Sequence, residues 1–217
     1  FNLVHSSLFQ SFACALNNPE MGRLISLDIH TSHGLAFKPA YLDSWRNKPD
    51  ASGGVLETVG VHYVNMAINL FGPPISMTSD FLWAAQAPSK SKKGTPDTAI
   101  LHLKFKNGLL VTLRHSYAAP FRHHWFLLGT NGTWEYDGRT ARFCTPRDTF
   151  DSSGRFAEPP LVLEEPMEFP SLWQDSLSRA VQDFVSVVRS KKSFDPKEFD
   201  RGLDSMELIR DAGNGAR

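Results

Sequence analysis

His62 is the residue of this sequence best suited to move a proton. It lies in the stretch Ser52-Gly53-Gly54-Val55-Leu56-Glu57-Thr58-Val59-Gly60-Val61-His62-Tyr63-Val64-Asn65, where two glycines open into an apolar run. Read as a helix, the run sets Thr58, His62, Asn65 and Asn69 at i, i+4, i+7 and i+11, on one narrow face. Nearly every other position through Phe71 is apolar. A helix so apolar is a buried one. A stripe of hydroxyl, imidazole and amide along it then needs hydrogen-bond partners or a polar cavity. An ordinary solvated face would carry Lys, Glu or Arg, and this one carries none. An imidazole facing a cavity titrates near neutral pH and can serve as general acid or base.

Further candidates precede the glycines. Arg46 can hold a carboxylate, a phosphate or sugar hydroxyls, and Trp45 can stack on the apolar face of a sugar. The alternative for this pair is a surface Arg beside a core Trp. Lys38 is a weaker candidate of the same kind. Asp28, His30 and His33 suggest a metal site, but on a strand Asp28 and His30 share a face and His33 points away. No further ligand set is evident, so no metal is assigned. His123 and His124 would face opposite sides of a strand. Asn131-Gly132-Thr133 fits a glycosylation sequon, and a hairpin turn explains the same residues better.

These residues need elements to position them. Leu8, Phe12, Ala15 and Leu16 recur at helical spacing in residues 3–16, and Asn17-Asn18-Pro19 ends that helix. Residues 24–29 alternate as a strand does. Residues 31–52 are rich in Gly, Pro, Asp and Asn and read as a long loop feeding the His62 helix. Gly72-Pro73-Pro74 stops that helix. Residues 75–85, 98–105, 109–118, 124–128, 132–136 and 139–144 read as strands. Asn107-Gly108, Asn131-Gly132 and Asp137-Gly138 supply hairpin turns, which makes an antiparallel meander. Residues 89–94 form a basic polar loop, and residues 145–160 a polar, proline-bearing and mobile one. Ser171-Leu172-Trp173-Gln174 and Asp195-Pro196-Lys197-Glu198 are capping boxes opening two closing helices. Trp173, Leu177, Ala180, Val181, Phe184 and Val188 form one apolar face on the first; Phe199, Leu203, Met206 and Ile209 follow helical spacing on the second. The order predicts an α+β fold, one open, mainly antiparallel sheet with helices on one face. Residues 1–217 read as one domain, with 1–18 a connecting helix and 171–217 helices packing back.

Composition narrows the function. The chain has 217 residues, 41% hydrophobic and 21% charged, as a globular domain does. Its 23 basic and 23 acidic residues cancel, which argues against nucleic acid as the main partner. Cys14 and Cys144 do not make a disulfide framework, and a reducing cytoplasm is the simple reading. No apolar run is long enough to cross a bilayer, so no membrane partner is expected. Phe81, Trp83, Leu101, Leu103, Phe105, Leu113, Tyr117, Trp125, Leu127 and Trp134 look like more apolar surface than one helix layer hides. Self-association through the second sheet face is therefore expected.

The glycine–histidine stretch is similar to the GGGxLxDxGxHxxD signature of the Gfo/Idh/MocA oxidoreductases, the glucose–fructose oxidoreductase and inositol dehydrogenase family. Pro19-Glu20-Met21-Gly22-Arg23-Leu24-Ile25-Ser26 resembles the start of that family's first substrate-domain strand. Trp45-Arg46 stands where the family often has Trp-Arg. Phe105-Lys106-Asn107-Gly108 and residues 128–133 resemble two of its hairpins. The resemblance implies the C-terminal substrate domain of an NAD- or NADP-dependent enzyme acting on a sugar, polyol or related hydroxy compound. It implies His62 as acid–base residue, with Trp45, Arg46, Thr58, Asn65 and Lys38 toward the substrate. The sequence contains no G-x-G-x-x-G, so the cofactor is expected to be held mainly by a Rossmann domain outside these residues, with which this domain would pair. Two departures stand out: Thr58 and Asn65 each replace a family Asp. Threonine can hydrogen-bond but brings no charge to the imidazole. The competing readings are a non-catalytic oligomerisation domain, and an NAD-dependent glycosidase of the same family.

Overall fold

The computed structural model describes residues 1–51, 53–85, 94–147, 150–190 and 196–214. In chain order the main elements are α1 (Ser7–Leu16), β1 (Leu24–Ser32), α2 (Pro39–Asp43), a π-turn (Leu56–Gly60), α3 (Val61–Phe71), β2 (Ser76–Leu82), β3 (Thr98–Lys104) and β4 (Leu110–Ser116). Then follow β5 (Arg122–Gly129), β6 (Thr133–Tyr136), β7 (Thr140–Cys144), β8 (Leu161–Pro166), α4 (Phe169–Arg189) and α5 (Pro196–Asn214). The strands form one open, mostly antiparallel sheet in the order β2-β3-β4-β1-β5-β6-β7-β8. The chain divides into two compact units. The first holds Phe1, Ile29–Arg122 and the C-terminal helix; the second holds Asn2–Asp28 and the chain from His123 through α4.

In the first unit, β2, β3 and β4 pair antiparallel, with Leu101 opposite Leu113 and Leu103 opposite Val111. Their alternation puts Ala99, Leu101, Leu103, Val111, Leu113 and His115 on a buried face. The β3–β4 turn is the one Asn107-Gly108 predicts. Gly108 takes φ 86°, a left-handed value that costs a glycine little. The Asn107 side chain accepts from the Leu109 amide at 3.1 Å. α3 covers the buried face: the Tyr63 ring stacks on His115 with centroids 4.9 Å apart, and Phe71 meets Phe105 edge-on at 5.4 Å. α5 lies on α3, where the Asn65 amide donates to Ser205 Oγ at 3.2 Å and Arg201 donates to Asn69 at 3.0 Å. The loop expected over residues 31–52 contains α2 and three turns of 3-10 helix.

In the second unit, α1 begins with Ser6 accepting from the Phe9 amide at 3.0 Å. It sets Phe12 against Trp125 and Trp134, with ring centroids 5.5 and 5.2 Å away. Asp137 fixes the β6–β7 turn by accepting from the Arg139 and Thr140 amides, each at 2.9 Å. The Asn131-Gly132 loop does not use a left-handed glycine. Its Asn131 amide instead donates to the Glu20 carbonyl at 2.9 Å and to Thr145 at 3.1 Å. β8 is a strand that the pattern analysis did not assign. It pairs with β7 across a bulge at Phe143/Cys144. Leu161-Val162-Leu163 follows a polar segment with no alternation to mark it, and all three are exposed. Within residues 145–160, Asp151 accepts from the Ser153 and Arg155 amides, which organises part of the segment.

Two helix starts differ from expectation. α4 begins at Phe169 behind Glu168, so the Ser171 box lies inside the first turns and caps nothing. The Asp195 end of the second box lies outside the described residues, as does all of the basic loop except Gly94. The open sheet face also differs. The eight large residues from Leu101 to Trp134 expected to reach it are at most 2% exposed. They alternate onto the buried face, where one layer of helices does hide them. The opposite face carries Thr98, Ile100, His102, Lys104, Leu110, Thr112 and Arg114 in the first unit and His124, Phe126, Leu128, Glu135, Thr140 and Arg142 in the second. The residues named for self-association through the sheet therefore lie on its buried face, and the open face carries Phe126, Leu128, Ile100 and Leu110 among polar neighbours.

Candidate functional site

The site begins with the glycine pair, which brings two segments of the first unit together. A Cβ on Gly53 would lie 2.4 Å from the Trp45 carbonyl oxygen and 2.6 Å from that of Arg46. Only a residue without a side chain lets the 45–51 segment close on the helix start. The Gly54 amide donates to the Arg46 carbonyl at 2.7 Å, and Thr95 Oγ1 donates to the same oxygen at 2.7 Å. Gly54 takes φ 116°, with the Glu57 carboxylate lying where a side chain would go. The chain then winds as a π-turn through Gly60, a form concentrated at functional sites. Gly60 is closely packed there: a Cβ would come within 2.5 Å of Leu56 Cδ1 and 3.1 Å of the His115 ring.

This construction leaves a cleft of about 580 Å³ in the first unit, within the range of small-molecule sites. His62, Thr58, Arg46 and Trp45 line it, joined by Glu57, His33 and Tyr117. Arg46 stacks its guanidinium over the Trp45 ring, 4.6 Å from the centroid. Thr58 Oγ1 donates to the Gly54 carbonyl at 2.5 Å and is hydrogen-bonded to the Tyr117 hydroxyl. The Tyr117 ring lies 4.9 Å from that of His33.

Asn65 does not line this cleft. It is 3% exposed and turned to α5. The polar stripe is split: its first half meets the cleft, and its second half finds partners on a helix. Lys38 is exposed at the start of α2 and stays outside the lining residues, though its charge reaches His33. His33, Glu57 and Tyr117 went unrecognised as site residues. Strand alternation puts Tyr117 on the same side as His115 and could have marked it. Glu57 could not be found that way, because i→i+5 winding turns its side chain through a different angle from an α-helix.

Burial sets the electrostatics. It pulls the His62 imidazole down to about 4. His62 is thus a neutral base at neutral pH. Burial also pushes the Glu57 carboxyl up. The Tyr117 hydroxyl is pushed up by burial, opposed by the Thr58 hydrogen bond and by the neighbouring Arg46 guanidinium. His33 is lowered by burial and then by the charges of Lys38 and Arg46.

Gly53 and Gly54 do not form a dinucleotide cradle. A pyrophosphate needs glycines that open backbone N–H groups to the ligand. Gly53 and Gly54 are instead closed by the chain's own carbonyls and by Glu57. Among the described residues no three of His, Cys, Asp and Glu gather to hold a metal, and no helix is long and apolar enough to cross a membrane.

Comparison with known proteins identifies the fold and the family. Three solved structures share the fold. The 3-ketoreductase KijD10 from Actinomadura kijaniata, in complex with NADP and TDP-benzene, is 15% identical with a TM-score of 0.73; the match covers 100% of this chain and 61% of that one. A myo-inositol dehydrogenase from Corynebacterium glutamicum is 17% identical with a TM-score of 0.69, covering 99% and 60%. Levoglucosan dehydrogenase, in complex with NADH and levoglucosan, is 16% identical with a TM-score of 0.66, covering 94% and 60%. The chain thus spans about three fifths of the length of these relatives. No curated protein matches the sequence. The model of the GFO/IDH/MocA C-terminal domain matches residues 9–135, more than half of the sequence, and the chain belongs to that family.

Proposed function

We propose that these residues form the substrate-binding domain of an NAD(P)-dependent oxidoreductase acting on a sugar, polyol or related hydroxy compound. The observation that carries this reading is that His62 shares one cleft with Trp45 and Arg46. Such a cleft offers a base, an apolar stacking surface and a multidentate donor to one small polar ligand. Oxidation of a hydroxyl releases a proton from oxygen, and a neutral imidazole is the form that accepts it. The dinucleotide would be held by a Rossmann domain outside these residues, and it supplies the hydride chemistry. In keeping with this, titration calorimetry of the 217-residue chain should show no micromolar binding of NAD or NADP.

The second reading, a non-catalytic domain, has its own support. Thr58 gives its proton to the Gly54 carbonyl and is tied to Tyr117, and it brings His62 no charge. The decisive experiment uses a chain carrying these residues together with a dinucleotide-binding domain. It is assayed on sugars, polyols and sugar acids with NAD and with NADP. His62→Ala should lower kcat by about 100-fold or more. Turnover that is indifferent to His62, or no turnover on any hydroxy compound, favours the non-catalytic domain.

A further inference from the structure

Arg46 is a half-buried cation with no carboxylate paired to it among the described residues. Its position is nonetheless fixed from several sides. Trp45 stacks on the guanidinium plane. The backbone carbonyl is held by Gly54 and Thr95. The Tyr117 hydroxyl lines the same cleft. Tyr117 then directs its own proton to Thr58, whose proton goes to the Gly54 carbonyl. The hydrogen-bond chain therefore runs in one direction, from Tyr117 through Thr58 to the Gly54 carbonyl, while the Gly54 amide holds the Arg46 carbonyl. That chain does not draw on the five guanidinium donors of Arg46, which lines the cleft.

A planar guanidinium fixed in this way matches an oxyanion in bidentate geometry. A neutral sugar could accept hydrogen bonds from it but would not compensate its charge. Covering a cation without a counter-charge is costly, because its hydration is lost. Glu57 lines the same cleft but does not serve as that counter-charge. Its carboxylate lies over Gly54, with no ion pair to Arg46.

We infer that this cleft takes a hydroxy compound bearing an oxyanion, a carboxylate or a phosphate, with Arg46 as its receptor. The inference rests on the reading of this cleft as a substrate site. It adds the charge of the substrate, which that reading leaves open.

The test is an NMR titration of the isotopically labelled 217-residue chain, read at the Arg46 Nε–H and the Trp45 indole N–H. The probes are D-glucuronate, D-glucose, D-glucose 6-phosphate and NADP. Either charged sugar should shift the Arg46 signal saturably and bind about tenfold more tightly than glucose, a difference of the size a charge-assisted pair supplies. The stronger of the two assigns carboxylate or phosphate. Arg46→Gln should bring the charged sugar to the affinity of glucose, and Arg46→Lys should retain part of the preference. Equal affinity for all three sugars would overturn the inference, as would an anion preference that survives Arg46→Gln, or a response to NADP alone. Failure of the enzyme reading is distinguishable. An anion preference in this titration together with no turnover in the two-domain chain would retain the receptor and remove the catalyst.

Discussion

The Thr58 and Tyr117 hydroxyls are hydrogen-bonded to each other, joining the π-turn to the residue that follows β4. In the signature that this stretch resembles, the position of Thr58 carries an Asp that would polarise the histidine. Here the side chain is committed to Tyr117 and to the Gly54 carbonyl. The exchange of Asp for Thr therefore changes which groups the turn connects: it ties the turn to the Arg46 side of the cleft.

Replacing Thr58 by Asp should reverse that. A carboxylate within one turn of an imidazole favours its protonated form, by about 1–3 pKa units at close range. The His62 titration followed by NMR should then rise from about 4 toward neutrality. Thr58→Val is the control. It should leave the His62 titration in place and cost about 1 kcal/mol for the lost hydrogen bonds. An unchanged His62 titration in Thr58→Asp would show that the carboxylate does not reach the imidazole.

The glycines at the helix start allow a test of the architecture itself. Gly53→Ala places a methyl 2.4 Å from the Trp45 carbonyl oxygen, and backbone cannot move aside cheaply. Overpacking of this kind costs about 1–3 kcal/mol. Gly213, by contrast, has nothing within 4 Å and lies within α5. Gly213→Ala should stabilise by about 0.5–1 kcal/mol through helix propensity. Urea unfolding of the two variants should separate them in opposite directions.

How much of this was legible depended on what each pattern encodes. Period-two alternation located seven of the eight strands, because pairing and burial both follow it. Asn107-Gly108 and Asp137-Gly138 marked their turns because the backbone there needs φ above zero. β8 escaped because Leu161-Val162-Leu163 lies at the sheet edge and shows no alternation. In the site, the residue types singled out His62, Thr58, Arg46 and Trp45, which line one cleft. Asn65 was misplaced because a polar stripe records a need for partners without saying who provides them. Ser205 on α5 does so, 140 residues away. Glu57 depended on a π-turn, which no composition rule announces.

The buried histidines should make stability depend on pH. Burial lowers His123 to about 3 and His62 to about 4, below the unfolded value near 6.5. The unfolded chain therefore binds more protons than the folded one in this window. Stability is complete above about pH 6.5 and falls as pH drops toward 4 and then 3. His123 is 2% exposed and accepts from the Trp125 indole at 3.1 Å, so its contribution is the cleaner one. It should account for about 2 kcal/mol lost between pH 7 and pH 5. His123→Gln keeps an acceptor for Trp125 and does not titrate. Its urea midpoint should therefore fall less over the same pH range.

The first closing helix gives the last test, because its apolar face is real and yet uncovered. Trp173, Leu177, Val181, Phe184 and Val188 follow the helical spacing read from the sequence, and they are 37–65% exposed. α4 holds to its own unit on another face, through Leu172, Ser176 and the His5–Asp183 pair at 2.7 Å. Periodicity shows that a face is apolar; it does not show that something lies on it. Phe184→Lys should therefore change stability by no more than about 0.5 kcal/mol, as surface substitutions do. Phe12→Ala, at a residue with no exposed surface that lies between two tryptophans, should cost about 3–5 kcal/mol. Binding of an apolar fluorescent dye separates the two further. Phe184→Lys should reduce dye binding by the native chain, since it interrupts the exposed stripe at its most open residue. A loss of stability in Phe184→Lys comparable to that in Phe12→Ala would mean that this face is covered in solution.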